Sequence, residues 1–93
     1  MKNFMVTHTL KSEEAMETYF AAIETMSEAD IRGAMKNEKA SFQMQWNAGK
    51  NDKVMFCWWK AESPKAIIET LGDMGSLFDN DIREMPNVLD FPD

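Results

Sequence analysis

Lys53-Val54-Met55-Phe56-Cys57-Trp58-Trp59-Lys60, KVMFCWWK, places six apolar residues in a row between two lysines. Successive side chains of a strand point to opposite faces of its sheet. A run that is apolar at every position therefore needs cover on both faces, which marks a strand inside a sheet. Ahead of it, Gly49-Lys50-Asn51-Asp52 is turn chemistry. Before that turn, Ser41 to Asn47 alternates, with Phe42, Met44 and Trp46 set against Ser41, Gln43, Gln45 and Asn47. The two segments are expected to form a hairpin.

Working outward, Asn3 to Leu10 alternates too: Phe4, Val6, His8 and Leu10 on one face, Met5, Thr7 and Thr9 on the other. Ser12 has the character of a helix N-cap, with Glu13 and Glu14 in the first turn, where the helix dipole favours negative charge. Met16, Tyr19, Phe20, Ile23 and Met26 continue at spacings of three and four, one apolar stripe. Ser27 and Asp30 restart a cap for a shorter helical segment carrying Ile31, Ala34 and Met35. Ser63-Pro64 opens another helix, striped by Ile67, Ile68 and Leu71 and stopped at Gly72. A last strand is expected from about Asn80 to Leu89, at a sheet edge because Pro86 cannot donate to a ladder.

Strand, helix, strand, strand, helix, strand, joined by right-handed crossovers, is most economically an α+β fold. It is a ferredoxin-like βαββαβ two-layer sandwich, an antiparallel sheet with helices on one face. Residues 27–39 extend the first crossover. A chain of 93 residues makes one domain, 1–93, and a domain near this size buries roughly 60–65% of its unfolded surface. Nine methionines are read as adaptable fillers of its core.

Charge and composition exclude several function classes. A formal net charge of −6, with the lysines scattered among acids, argues against nucleic acid and anionic lipid as partners. The opening MKNFMVTHTL lacks the apolar core of a signal peptide, and no run approaches the ~18 apolar residues of a membrane span. A single cysteine allows no internal disulfide and fits a reducing compartment. The expectation is a cytoplasmic domain.

Register decides what each face carries. If the paired residue numbers of the hairpin sum to an even value, Phe42, Met44, Trp46, Val54, Phe56 and Trp58 share one face, assigned here to the helices. Met55, Cys57 and Trp59 then lie on the open face, beside Gln43, Gln45 and Asn47. Leaving residues of that size in water would give a large apolar patch, so a homodimer pressed sheet to sheet about a two-fold axis is expected, with Met55, Cys57 and Trp59 in its interface. A tail carrying Val88, Leu89 and Phe91 is the rival cover.

Two side chains are candidates for chemistry. His8 is the only histidine, on an apolar face; it reads either as an acid/base between sheet and helices or as a core histidine satisfied by a carbonyl. Cys57 has no cation near it in sequence to lower its pKa, which favours a small buried hydrophobe over a nucleophile. His8 and Cys57 are two ligands where a closed zinc site uses four, so no metal site is assigned. Tyr19, Trp46, Phe56 and Trp58, with His8 as the polar group, form the expected pocket for a flat apolar ligand. Gly72-Asp73-Met74-Gly75 lacks the residues of a phosphate loop and follows a helix, so no cofactor is expected.

Phe4-Met5-Val6-Thr7-His8, Val54-Met55-Phe56-Cys57, Ser63-Pro64-Lys65-Ala66-Ile67, and Gly75 with Phe78 to Met85 together resemble a family of small uncharacterised ferredoxin-like proteins that includes a nickel-binding bacterial member. The resemblance spans most of the chain outside 27–39. It implies a ferredoxin-like subunit that dimerises, related in shape to the dimeric α/β-barrel proteins, among them small cofactor-independent monooxygenases. Where the nickel-binding relative has histidines, in and just after its second helix, this chain has Leu71 and Ser76; only His8, and Cys57 if counted, carries over. The functional expectation is a dimer that binds a small apolar or aromatic molecule between sheet and helices. The alternative is a monooxygenase- or isomerase-like enzyme using His8, or a weak transition-metal binder.

Overall fold

The computed structural model of the chain describes residues 1–49 and 51–93; Lys50, in the expected hairpin turn, lies outside the described residues. The elements are β1 (Lys2–Leu10), α1 (Glu13–Glu24), α2 (Glu28–Ala34), β2 (Ala40–Asn47), β3 (Val54–Ala61), α3 (Pro64–Leu71), a 3₁₀ segment (Gly72–Leu77) and β4 (Phe78–Glu84). The sheet order is β2-β3-β1-β4, and every neighbouring pair is antiparallel. That order and connectivity define the ferredoxin-like α+β sandwich.

Local chemistry sets the element ends. Ser12 caps α1 by accepting from the Ala15 N–H at 3.0 Å, and Ser63 caps α3 by accepting from Ala66 at 3.2 Å. Ser27 and Asp30 form a reciprocal capping box at α2, which is how the insertion at 27–39 holds a helix of its own. Gly72 ends α3 at φ +57°, a left-handed conformation that glycine reaches without a Cβ clash. β4 begins at Phe78 and stops before Pro86, short of the expected reach to Leu89. The last ladder-like bond is Met85 N–H to Asn3 carbonyl at 2.8 Å, after which Pro86 has no N–H to continue. Residues 85–93 have no regular structure, and Val88, Leu89 and Phe91 are 67%, 83% and 83% exposed, so this tail does not cover the sheet.

The two faces of β3 are the reverse of the expectation. In its pairing with β1, Phe4 stands opposite Trp59, Val6 opposite Cys57 and His8 opposite Met55. Directly opposed side chains share a face, so the apolar face of β1 carries Met55, Cys57 and Trp59 in beneath the helices, where all three are buried. Phe56 is 48% exposed on the open face, together with half-buried Val54 and Trp58. Lys60 shares that parity. Placing Phe56 and Trp58 inside would have taken the Lys60 ammonium inside with them; instead Lys60 stays in water with its Nζ 5.9 Å from the Trp58 ring centre. The even-sum register holds for Met44 opposite Trp58 and Trp46 opposite Phe56, on the open face. Between Phe42 and Met44 a bulge shifts the register, so Phe42 stands opposite Trp59 and packs edge-on to its ring at 5.4 Å.

Two core clusters lie between sheet and helices. One joins Phe4, Val6, Cys57, Trp59 and Ile67; the other joins Leu10, Ala15, Tyr19, Met55 and Phe78.

Candidate functional site

A cavity of about 450 Å³ opens where these two clusters meet, and it draws its lining from both. Its floor is the inner face of the sheet: His8 on β1, Cys57 and Trp59 on β3, Phe42 and Gln45 on β2, Phe78 on β4. Tyr19 and Ile23 of α1, Ile31 of α2 and Leu71 of α3 wall it, with Met26, Met35 and Met74 in the connections. The stripe of α1 turns Tyr19 inward, whereas α2 buries none of its residues, and the cavity opens between them. Four methionines line this seam, Met44 of β2 with the three in the connections, and they suit a wall whose shape adapts. The volume is on the scale of small-molecule pockets, about 300–1,000 Å³.

His8 supplies the one ionisable nitrogen of the floor. Its Nδ1 lies 2.6 Å from Asn80 Oδ1, and the Asn80 Nδ2 donates to the Gly75 carbonyl at 3.1 Å. That second bond orients the amide so that its oxygen faces the histidine. An amide oxygen only accepts, so Nδ1 carries the proton and donates, which leaves Nε2 with its lone pair. The ring also packs edge-on against Phe78 at 5.2 Å. Burial disfavours the imidazolium and lowers the His8 pKa below its ordinary 6.5, and the Asn80 bond opposes this more weakly. At neutral pH His8 is a neutral, oriented hydrogen-bond acceptor.

The neighbouring polar groups are equally constrained. Tyr19, buried, receives a hydrogen bond from Gln45 Nε2 at 3.3 Å, and burial raises its pKa, with the Gln45 bond opposing. Gln45 also reaches Met55 Sδ at 3.5 Å. Burial pushes the Cys57 thiol up to about 12, so no thiolate is available near neutrality. The indole Nε1 of Trp59 is the one buried side-chain donor without a partner among the described residues. The charged lining residues are Glu28 and Arg32, paired with each other at 3.5 Å on the exposed side of α2. Among the described residues no group of three or more His, Cys, Asp or Glu side chains comes together as a metal site.

Of the residues expected from sequence to line a pocket, His8 and Tyr19 line it, while Trp46, Phe56 and Trp58 stand on the open face. Met55, Cys57 and Trp59, expected in a sheet-to-sheet interface, are buried under the helices; Cys57 and Trp59 are part of the cavity floor. Asn80 and Gln45, placed from sequence only as a strand start and an open-face amide, were not site candidates. Asn80 pairs with His8 across the β1–β4 ladder, so correct placement of the last strand would have found it. The open face carries Met44, Trp46 and Phe56 at 48%, 45% and 48% exposure, and Trp58 donates from Nε1 to Asn3 at 3.0 Å. Toward β4 the same face turns charged, with Asp79, Asp81 and Arg83.

Neither a protein-family model nor a curated protein sequence matches the chain. Among solved structures it is similar to the crystal structure of a dimeric ferredoxin-like protein from an uncultured marine organism, at 14% sequence identity and a TM-score of 0.37, the match covering 100% of both chains. No helix among the described residues is long and apolar enough to cross a membrane.

Proposed function

We propose that the protein is a cytoplasmic, homodimeric binding module that takes a small, largely apolar aromatic molecule into the cavity between sheet and helices. The observation that carries this reading is the cavity of about 450 Å³ at the seam of the core, with a single oriented imidazole in its floor. A well-filled interior leaves few voids larger than a water, so a 93-residue domain that parts its core around a histidine has room set aside for a guest. The methionine and aliphatic walls favour an apolar body, and the cytoplasmic placement rests on the lone, unpaired Cys57. Dimerisation rests on the open sheet face, where Met44, Trp46 and Phe56 make an apolar patch that a second copy would cover.

Native mass spectrometry of the purified protein tests both parts. The expected result is a dimer carrying a retained small molecule, and a Met74→Trp variant, with the cavity filled, that dimerises but retains none. A ligand-free monomer unable to take up naphthalene-sized probes would overturn the reading. An enzyme is the second reading, favoured by one observation: Asn80 fixes the tautomer of His8 as an orienting partner fixes a general base. Turnover of a bound aromatic, lost in His8→Phe without loss of binding, would establish it.

A further inference from the structure

Resting on the binding reading above, we infer that the ligand is a neutral aromatic hydroxyl compound, a phenol or enol, whose O–H donates to His8 Nε2. The chain of hydrogen bonds that begins at the Gly75 carbonyl leaves no freedom about the polarity of this group. Gly75 takes the Asn80 Nδ2–H, Asn80 Oδ1 takes the His8 Nδ1–H, and the floor therefore offers the guest an acceptor. Burial keeps that imidazole neutral, so it does not become a donor near pH 7. A guest lacking a donor would leave the Nε2 lone pair desolvated and unmatched, which is the situation that discriminates most sharply in buried sites.

Charge excludes the neighbouring ligand classes. Among the described residues Arg32 is the only cation lining the cavity, and its side chain stands 70% exposed on α2 beside Glu28, in water and away from the His8 floor. A carboxylate or phosphate would lose its hydration with no cation there to meet it. Trp59 adds an apolar ring to the floor of the same cavity, its indole N–H sealed from it, which suits a flat aromatic guest.

Four probes separate the possibilities: 2-naphthol, 2-methoxynaphthalene, naphthalene and 2-naphthoate, each titrated by calorimetry into the wild type, His8→Phe and Met74→Trp. The expected result is that 2-naphthol binds wild type about tenfold more tightly than its methyl ether, the ratio one buried hydrogen bond sets. In His8→Phe the ratio falls to near one, with the ether unaffected, and Met74→Trp binds none of them. Long-range ¹H–¹⁵N spectra of the wild type give an independent reading should His8→Phe fail to fold, since Nε2 must shift on adding 2-naphthol and not on adding the ether. Equal binding of 2-naphthol and its ether overturns the donor requirement and leaves the binding module standing. Preference for 2-naphthoate overturns the neutral-ligand inference. Failure of all four probes overturns both.

Discussion

Replacing Asn80 by leucine keeps the volume at β4 and removes both ends of the relay that holds His8. The Nδ1–H loses its acceptor at 2.6 Å, and the Gly75 carbonyl loses its donor at 3.1 Å. His8 is only 4% exposed, so bulk water does not readily replace Asn80. An unmet buried donor costs about 1–3 kcal/mol, and the carbonyl keeps a second lone pair for other partners, so a loss of about 2 kcal/mol is expected for the pair. For a domain of this size each kcal/mol lowers Tm by roughly 4–8 °C, which puts Asn80→Leu roughly 8–16 °C below wild type. Thermal unfolding by circular dichroism measures it, with Asp79→Asn on the outer face of the same strand as the control, expected within about 0.5 kcal/mol of wild type. The histidine tautomer is the second readout: the wild type holds the Nδ1–H form, and the variant shows a mixture. A variant no less stable than the control, with the tautomer unchanged, would refute the relay.

Other expectations follow from burial and charge. Phe56→Glu should dissociate the proposed dimer. Phe56 leaves 48% of its side chain exposed, about 100 Å² of an aromatic's usual area, so its cover is worth roughly 2–3 kcal/mol per copy and twice that about a two-fold axis. Sedimentation velocity should therefore show a weakening of at least a thousandfold on the order of that energy, and a dimer that survives the substitution uses another surface. Stability should fall with acid in a window set by His8. Its folded pKa lies below 6.5, so the unfolded chain binds more protons beneath that value. The contribution is complete above pH 6.5 and is lost as pH drops toward the folded pKa. Urea midpoints at neutral pH and about pH 5 should diverge in wild type and converge in His8→Phe, and equal slopes in both would contradict it. Cys57, with its thiol near 12, should resist disulfide reagents in the folded protein and react only as fast as the chain opens; rapid reaction of native protein would show that the thiol is accessible.

Much of the architecture was legible because caps and periodicity agree with it. Ser12, Ser27 and Ser63 mark three helix starts that the structure keeps, and alternation in 3–10 and 41–47 marks two strands. The faces of KVMFCWWK were not legible from the hairpin alone, since both parities are apolar. They are decided by the long-range pairing of β3 with β1, and Lys60, on the same parity as Phe56 and Trp58, was the local signal that pointed the right way. The bulge at Gln43 left no mark in the alternation of Ser41 to Asn47, yet it separates Phe42 inside from Met44 outside. His8 stood out by chemistry, while the group that defines its protonation, Asn80, is 72 residues away and becomes its neighbour only through the β1–β4 register.

The central claim is that the cavity beneath the helices, and not the open sheet face, receives the ligand. Nine methionines, distributed over both sides of the sheet, report on this directly. Met26, Met35 and Met74 line the cavity, with Met44 at its edge beside the bulge, whereas Met5 lies on the open face and Met1 at the exposed terminus. With methyl-¹³C methionine, a 2-naphthol titration followed by NMR should move the Met26, Met35 and Met74 methyl signals together, in step with the ring protons of His8, while Met1 and Met5 stay in place. Movement confined to Met5 and the signals of Trp46 and Phe56 would put the ligand on the open face and contradict the account.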